Sequence, residues 1–273
     1  MATEEEFKPL GKGLSSSLHS SAGVRRQDPP SNALVYLAPE YWDERFEEEE
    51  HYEWFKDYSH FRVLLLSHVK PTDRVLEVGA GNSHLSEEMY RDGITNITCT
   101  DLSPVAVKRM HTRFQEFPGQ CMVAAEANML NLPFEDQSFD VVIEKGAMDV
   151  LFVDSGDPWS PKQEVTDRVH SMLAETHRVL TSKGLFISIA FGQPHFRRPM
   201  FEAEGFTWTM KYATFGNGFH YFFYYLHKGS KDPSDIKSAI ASLDPIQENL
   251  DMVHEQMDNE DFLLNLTLVD DDS

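Results

Sequence analysis

The chain has 273 residues, 41% of them hydrophobic and 19 of them Phe, enough for one sizeable domain with appendages. Its formal charge of −21 argues against nucleic acid as a partner, because polyphosphate would be repelled, and favours basic partners. No apolar run approaches membrane-spanning length, the start lacks the basic-then-apolar order of a secretory signal, and Cys99 and Cys121 offer neither a disulfide framework nor CxxC metal spacing. The expectation is a soluble, cytoplasmic monomer with no membrane association.

Charge divides the chain into three. Residues 1–33 hold four acidic and four basic side chains and are rich in Gly and Ser, which predicts a disordered N-terminal segment. Residues 230–273 hold twelve acidic and two basic side chains, an acidic C-terminal tail expected to be partly helical or disordered. The folded domain is expected over residues 34–229.

Within that domain the predicted elements alternate. Tyr41 to Phe46 and Tyr52 to Leu66 are aromatic-rich and expected to be helical, ending before Lys70-Pro71. Val75, Leu76 and Val78 mark a buried strand, and Gly79-Ala80-Gly81 is the tight turn that leaves it. Asn82 and Ser83 are placed to cap the helix that follows. A second strand spans Asn96 to Asp101, after which Ser103 and Pro104 start a helix with Val107, Met110 and Phe114 on one face. Cys121 to Ala125 is a third strand and Phe139 to Glu144 a fourth, apolar enough to be central. Ser160-Pro161-Lys162-Gln163 resembles a capping box opening a helix that Gly184 breaks, before a fifth strand over Leu185 to Ala190. Phe206 to Phe215 and Phe219 to Leu226 flank Gly216-Asn217-Gly218, a hairpin signal. The sum is an α/β fold, a Rossmann-like doubly wound mixed sheet of seven strands closed by an antiparallel C-terminal hairpin.

Strand, glycine turn and helix start let a nucleotide-like ligand lie against bare backbone at a positive helix end. A dinucleotide fingerprint would need a third glycine where His84 stands. Asp101, closing the second strand, suits paired ribose hydroxyls, or else caps the helix from Ser103. Glu77 decides the ligand class. A carboxylate on a buried strand is costly unless it has a partner, and the ammonium and sulfonium of S-adenosylmethionine supply one where a pyrophosphate would be repelled. Pairing of Glu77 with Arg74 or Lys70 is the structural alternative.

The stretches R-V-L-E-V-G-A-G-N-S (74–83), C-T-D-L-S (99–103) and F-D-V-V-I-E-K-G-A-M-D (139–149) resemble class I S-adenosylmethionine-dependent methyltransferases. E-Y-W-D-E-R-F (40–46), Y-E-W-F (52–55), P-H-F-R (194–197) and G-N-G-F-H (216–220) resemble, more closely, the methyltransferase-like group that modifies lysines of translation elongation factor 1-alpha. The resemblance implies S-adenosylmethionine as cofactor and elongation factor 1-alpha, a basic protein, as substrate. It makes residues 34–229 the methyltransferase domain. It also implies that Trp42, Phe46 and Trp54 enclose the cofactor, that Gly79 and Gly81 form the turn, and that Asp101 with Leu102 covers the ribose. Asn128 with Met129 flanks the adenine and Lys145 closes the site. Asn128 stands where an acid is usual and Phe46 where tyrosine is usual.

A lysine target must lose a proton before its nitrogen can displace a methyl group, and a carboxylate can position or accept that proton. Asp149 and Glu144, on the segment leaving the fourth strand, are the catalytic candidates; a helix-start acid and an ion pair with Lys145 are their structural alternatives. The loop from Phe152 to Ser160 and the turn at Pro194 to Arg197, including His195, border the same edge. The twelve histidines show no HExxH or clustered spacing, so no metal is expected. A small-molecule methyltransferase and a non-catalytic binding protein remain open alternatives.

Overall fold

The computed structural model describes residues 30–231 apart from 31, 120 and 217. The expected disordered start and acidic tail therefore lie outside the described residues, as does the central Asn217 of the hairpin signal. Two helices, α1 (Pro39–Glu48) and α2 (Arg62–Leu66), precede the sheet. The alternating series follows as β1 (Val75–Val78), α3 (Leu85–Arg91), β2 (Ile97–Asp101), α4 (Pro104–Phe114), β3 (Met122–Glu126) and β4 (Phe139–Lys145). It continues through α5 (Ala147–Leu151), α6 (Gln163–Val179), β5 (Leu180–Ala190), α7 (Pro194–Phe201), β6 (Met210–Phe215) and β7 (Tyr221–His227). The seven strands lie in the order β3-β2-β1-β4-β5-β7-β6, parallel through β5, with β7 antiparallel to both β5 and β6. This is the seven-stranded mixed sheet with an antiparallel C-terminal pair expected from the sequence.

Both faces of the sheet are covered, which is why the central strands are apolar without interruption. Val75, Ile97, Cys99, Val141, Ile143 and Ile187 face the layer that contains α3, α4 and the N-terminal elements. Their neighbours Leu76, Val78, Val142 and Phe186 face α5, α6 and α7. The strand order reverses between β1 and β4, and the carboxyl ends of β1, β2 and β4 border the kind of crevice in which α/β sheets hold ligands.

Several local expectations fail for identifiable reasons. Residues 52–57 are not helical: only a short 3₁₀ turn (Tyr58–His60) precedes α2, and Phe55 and Lys56 stand at φ 55° and 78°. The helix at α6 starts at Gln163, one residue beyond Lys162, and no side chain caps it; Gln163 bonds forward to Asp167 instead of closing a box with Ser160. Gly184 does not end that helix, which stops at Val179; it sits in β5 at a register shift between Phe139 and Val141 of β4. The first hairpin strand begins at Met210, because Phe206 and Trp208 turn into the core, where the Trp208 indole donates to the Phe201 carbonyl at 2.6 Å.

Trp208 is fully buried, so Trp208→Ala removes a large side chain and leaves a cavity costing roughly 3–5 kcal/mol. Urea denaturation should show a lower midpoint with an unchanged m-value; an unchanged midpoint would show that this layer carries little of the stability.

Candidate functional site

The glycine turn after β1 is held by β2. The Ala80 N–H donates to the Thr100 carbonyl at 3.0 Å, and the Gly81 N–H donates to Asp101 Oδ2 at 2.8 Å. Asp101 Oδ1 accepts the Ser103 N–H at 2.9 Å, so one carboxylate braces the turn and the start of α4 together. With the Leu102 N–H also directed at it, the carboxylate retains lone-pair capacity for a further donor. Burial raises the Asp101 pKa, opposed by these backbone donors. Gly79 adopts φ +67° and passes so near α5 that a Cβ would stand 2.5 Å from the Ala147 methyl, which leaves glycine as the residue that fits.

A second set of contacts ties the N-terminal segment to this turn. Glu53 Oε2 accepts from Lys145 Nζ at 2.7 Å and from Ser83 Oγ at 2.9 Å, while Oε1 accepts the His84 N–H at 2.8 Å. The donor Lys145 also bonds to the Trp54 carbonyl at 2.9 Å. The start of α3 is thus capped by a carboxylate from thirty residues upstream, with Ser83 Oγ accepting the Leu85 N–H; Asn82 instead donates to the Glu49 carbonyl. The Phe46 ring covers Gly81, and the Phe55 ring covers Gly146 at the matching turn after β4, each so closely that a Cβ would meet the ring at 3.0–3.1 Å.

The aromatics form one assembly around a residue that motif reasoning missed, Arg45. Its guanidinium lies 4.9 Å from the Tyr52 ring centre and 5.2 Å from Trp54, and donates to Glu49 at 2.9 Å and to the Tyr41 hydroxyl at 3.1 Å. Trp42 stacks on Tyr36 at 5.6 Å, lies tilted on Phe46 at 5.7 Å, and bonds through its indole N–H to the Tyr36 carbonyl. The Arg45–Glu49 spacing of four on a helix face was the available signal for this pair.

Glu77 pairs with neither Arg74 nor Lys70: Arg74 clamps Asp140, and Glu77 receives the Cys99 thiol at 3.6 Å. Burial, and then the Glu87 charge, push Glu77 up to about 8, against the pull of Lys145. On the other face of β4, Glu144 is fully buried; its oxygens accept from Ser188 Oγ and from the Met148 N–H. Burial and the nearby Asp149 raise it to about 7. Glu144 and Lys145 therefore point to opposite faces and form no ion pair. Asp149, in the first turn of α5, bonds to Arg197, whose guanidinium packs 4.1 Å over the Phe152 ring. Asp149 Oδ2 and Arg197 Nε are buried without a partner among the described residues.

The remaining expected positions lie on the rim. Leu102 is exposed, and the Ala127 N–H donates to the Asp101 carbonyl, which places Asn128 and Met129 just beyond the ends of β2 and β3. Asn128 Oδ1 already accepts the Leu130 N–H at 2.9 Å, leaving one lone pair for a ligand. His195 is stacked beside Trp159 and Phe196. Among the described residues no group of three His, Cys, Asp or Glu side chains is arranged to hold a metal, and no helix is long and apolar enough to cross a membrane.

Glu77 and Glu144 hold protons in the folded chain at pH values where an unfolded carboxylate, near 4.5, has released them. Their contribution to stability is complete below that range and is lost as pH rises through about 7 and about 8. Urea midpoints should fall between pH 5 and pH 8.5, and Glu77→Gln should flatten part of that slope; an unchanged slope in the variant would remove Glu77 from the linkage.

Residues 76–188 match the family described as Methyltransferase domain. The chain is 35% identical over 245 residues to EEF1A lysine methyltransferase 4 of Mus musculus, spanning 88% of this chain and 95% of that protein. It is 36% identical over 245 residues to the protein of the same name from Bos taurus. A chain solved in work on the conversion of a disulfide bond into a thioacetal group during echinomycin biosynthesis shares the fold. Its TM-score is 0.52 at 17% identity, over 74% of this chain and 98% of that one. With a near full-length relative at this identity and a Methyltransferase domain match over residues 76–188, the chain belongs to the family of EEF1A lysine methyltransferase 4, among the S-adenosylmethionine-dependent methyltransferases.

Proposed function

We propose that this chain methylates a lysine of eEF1A, with residues 34–229 as its catalytic domain, acting as a cytoplasmic monomer. The observation that carries the reading is the 35% identity to a relative named for that activity, over 88% of this chain and 95% of that protein, well beyond residues 76–188.

The residues present fit S-adenosylmethionine. Asp101 keeps lone-pair capacity beside the turn for ribose hydroxyls, and Gly79, at φ +67°, bends the chain beneath α5 so that the turn presents bare backbone. Glu53 supplies negative charge for a cationic amino-acid part, with the protonated Glu77 carboxyl beside it, while Trp42, Phe46 and Trp54 offer π-faces and exclude water. Leu102, Asn128 and Met129 border the place for the adenine, and Lys145 fixes the Glu53 carboxylate that closes the turn. When bound, this cofactor supplies a methyl group on a sulfonium that leaves readily.

The chain's own contribution is to deliver a neutral amine. Deprotonating a lysine with a pKa of about 10.4 at pH 7 costs roughly 4–5 kcal/mol. Asp149 is the group that would hold and accept that proton: it keeps one oxygen unpartnered, and its other oxygen is fixed by Arg197. Glu144, with both oxygens engaged, acts through position, because its bond to the Met148 N–H sets the first turn of α5 and so the aim of Asp149.

Calorimetry with S-adenosylhomocysteine should show Asp101→Ala weakening binding by one to two orders of magnitude, the loss of about 1.5–3 kcal/mol expected for a charge-assisted bond. Unchanged affinity would remove Asp101 from the ribose site. Asp149→Asn should lower kcat on purified eEF1A by roughly 10²-fold or more while leaving that calorimetric affinity intact. Equal activity of the variant would require another base.

A further inference from the structure

Trp159 is 70% exposed, the most exposed large aromatic among the described residues, yet its backbone is fixed. Asp157 Oδ1 accepts the Trp159 N–H at 2.9 Å, the Asp157 carbonyl accepts the Ser160 N–H at 3.1 Å, and Ser155 accepts the Lys162 N–H at 2.9 Å. One side of the indole is also occupied. It stacks on His195 with ring centres 5.2 Å apart and planes at 23°, and Phe196 meets it edge-on at 5.0 Å. An indole held this way has lost its freedom before any partner arrives, so contact with it costs little further entropy.

Its position and charge narrow the partner. His195 and Phe196 immediately precede Arg197, which holds Asp149, so the aromatic group adjoins the candidate reaction site. Asp154, Asp157, Glu164 and Asp167 lie along the same loop and the start of α6. The bases nearby are engaged: Lys162 binds Asp154 at 2.6 Å and Arg198 binds Glu202 at 2.9 Å. Burial holds His195 below the ordinary imidazole range, which keeps it neutral near pH 7. The chain's own residues 230–273, with twelve acidic and two basic side chains, and a second copy of a chain at −21, both carry the sign this surface repels.

We infer that Trp159, seated on His195 and Phe196, is a docking platform that receives a lysine- or arginine-bearing segment of the protein substrate. The inference rests on the eEF1A reading above and gives that reading a contact surface. A cation over the free face of the indole gains from the ring quadrupole, the flanking carboxylates add attraction that salt screens, and a fixed central tryptophan is the residue type that dominates interface energies.

Trp159→Ala and Trp159→Phe test it, with purified eEF1A and labelled S-adenosylmethionine. The alanine variant should raise KM for eEF1A about tenfold with little change in kcat or in S-adenosylhomocysteine affinity by calorimetry. The phenylalanine variant should keep most of the affinity, and added salt should raise the wild-type KM. A KM equal to wild type in the alanine variant overturns the inference while leaving the eEF1A reading in place. Wild-type enzyme that binds the cofactor product but leaves eEF1A unmodified overturns that reading. A change of sedimentation mass in the alanine variant would assign the face to self-association, and so against the inference.

Discussion

The structure depends on one carboxylate, that of Glu53. It accepts from Lys145 at the end of β4, from Ser83 after the glycine turn, and from the His84 N–H at the start of α3. Two crossover units that meet only along β1 and β4 are thereby joined at their open edge by a segment that precedes both. The cost is local. Phe55 and Lys56 are bulky residues in the left-handed region, a conformation worth roughly 1–3 kcal/mol of strain each, and it persists only where surroundings over-determine it. Here they do: the bend turns the Phe55 ring onto Gly146 while Glu53 and Trp54 hold Lys145.

That knot also organises charge across the sheet. On one side of β4, Glu53, Glu77, Glu87 and Arg113 gather with Lys145; on the other, Glu144 and Asp149 gather with Arg197. Isolated buried carboxylates are expensive, and a protein answers that expense by pairing them or by keeping them protonated. Both answers occur. Glu87 and Asp149 are paired with arginines, whereas Glu77 and Glu144 sit high enough to keep protons near neutrality. The two clusters lie on opposite faces of the sheet, and each is balanced by its own cations, Lys145 and Arg113 on one side and Arg197 on the other.

The sequence made legible whatever short-range periodicity encodes: the apolar strand, the glycine turn, Asp101 at the end of β2, Ser103 capping α4 and the antiparallel pair. It hid what long-range partners decide. Residues 52–57 carry a helix-like aromatic spacing, but Glu53 gains three donors by leaving the helix, more than a single turn would return. Ser160 looks like a cap, yet the loop is fixed through Asp157 and Ser155, so α6 begins later. Arg74 is near Glu77 in sequence, but in the parallel sheet it reaches Asp140 beside it on β4. Arg45, central to the aromatic assembly, lies inside E-Y-W-D-E-R-F (40–46), but its role depends on Tyr52 and Trp54 from the following segment, which local spacing does not reveal.

His84 shows how one substitution of chemistry redirects a shared scaffold. In dinucleotide sites the third turn position is glycine so that helix and strand can pack closely. Here its N–H is given to Glu53, and its ring stacks on His51 at 3.9 Å, with His51 Nδ1 3.2 Å from the Asn82 carbonyl. Burial, and then the His51 charge, lower the His84 pKa, which favours its neutral ring. The space that a pyrophosphate-binding helix would close by bare contact is closed instead by the N-terminal segment. A site built this way replaces a phosphate-facing helix end with an acidic, aromatic wall, and that exchange suits a ligand carrying positive charge.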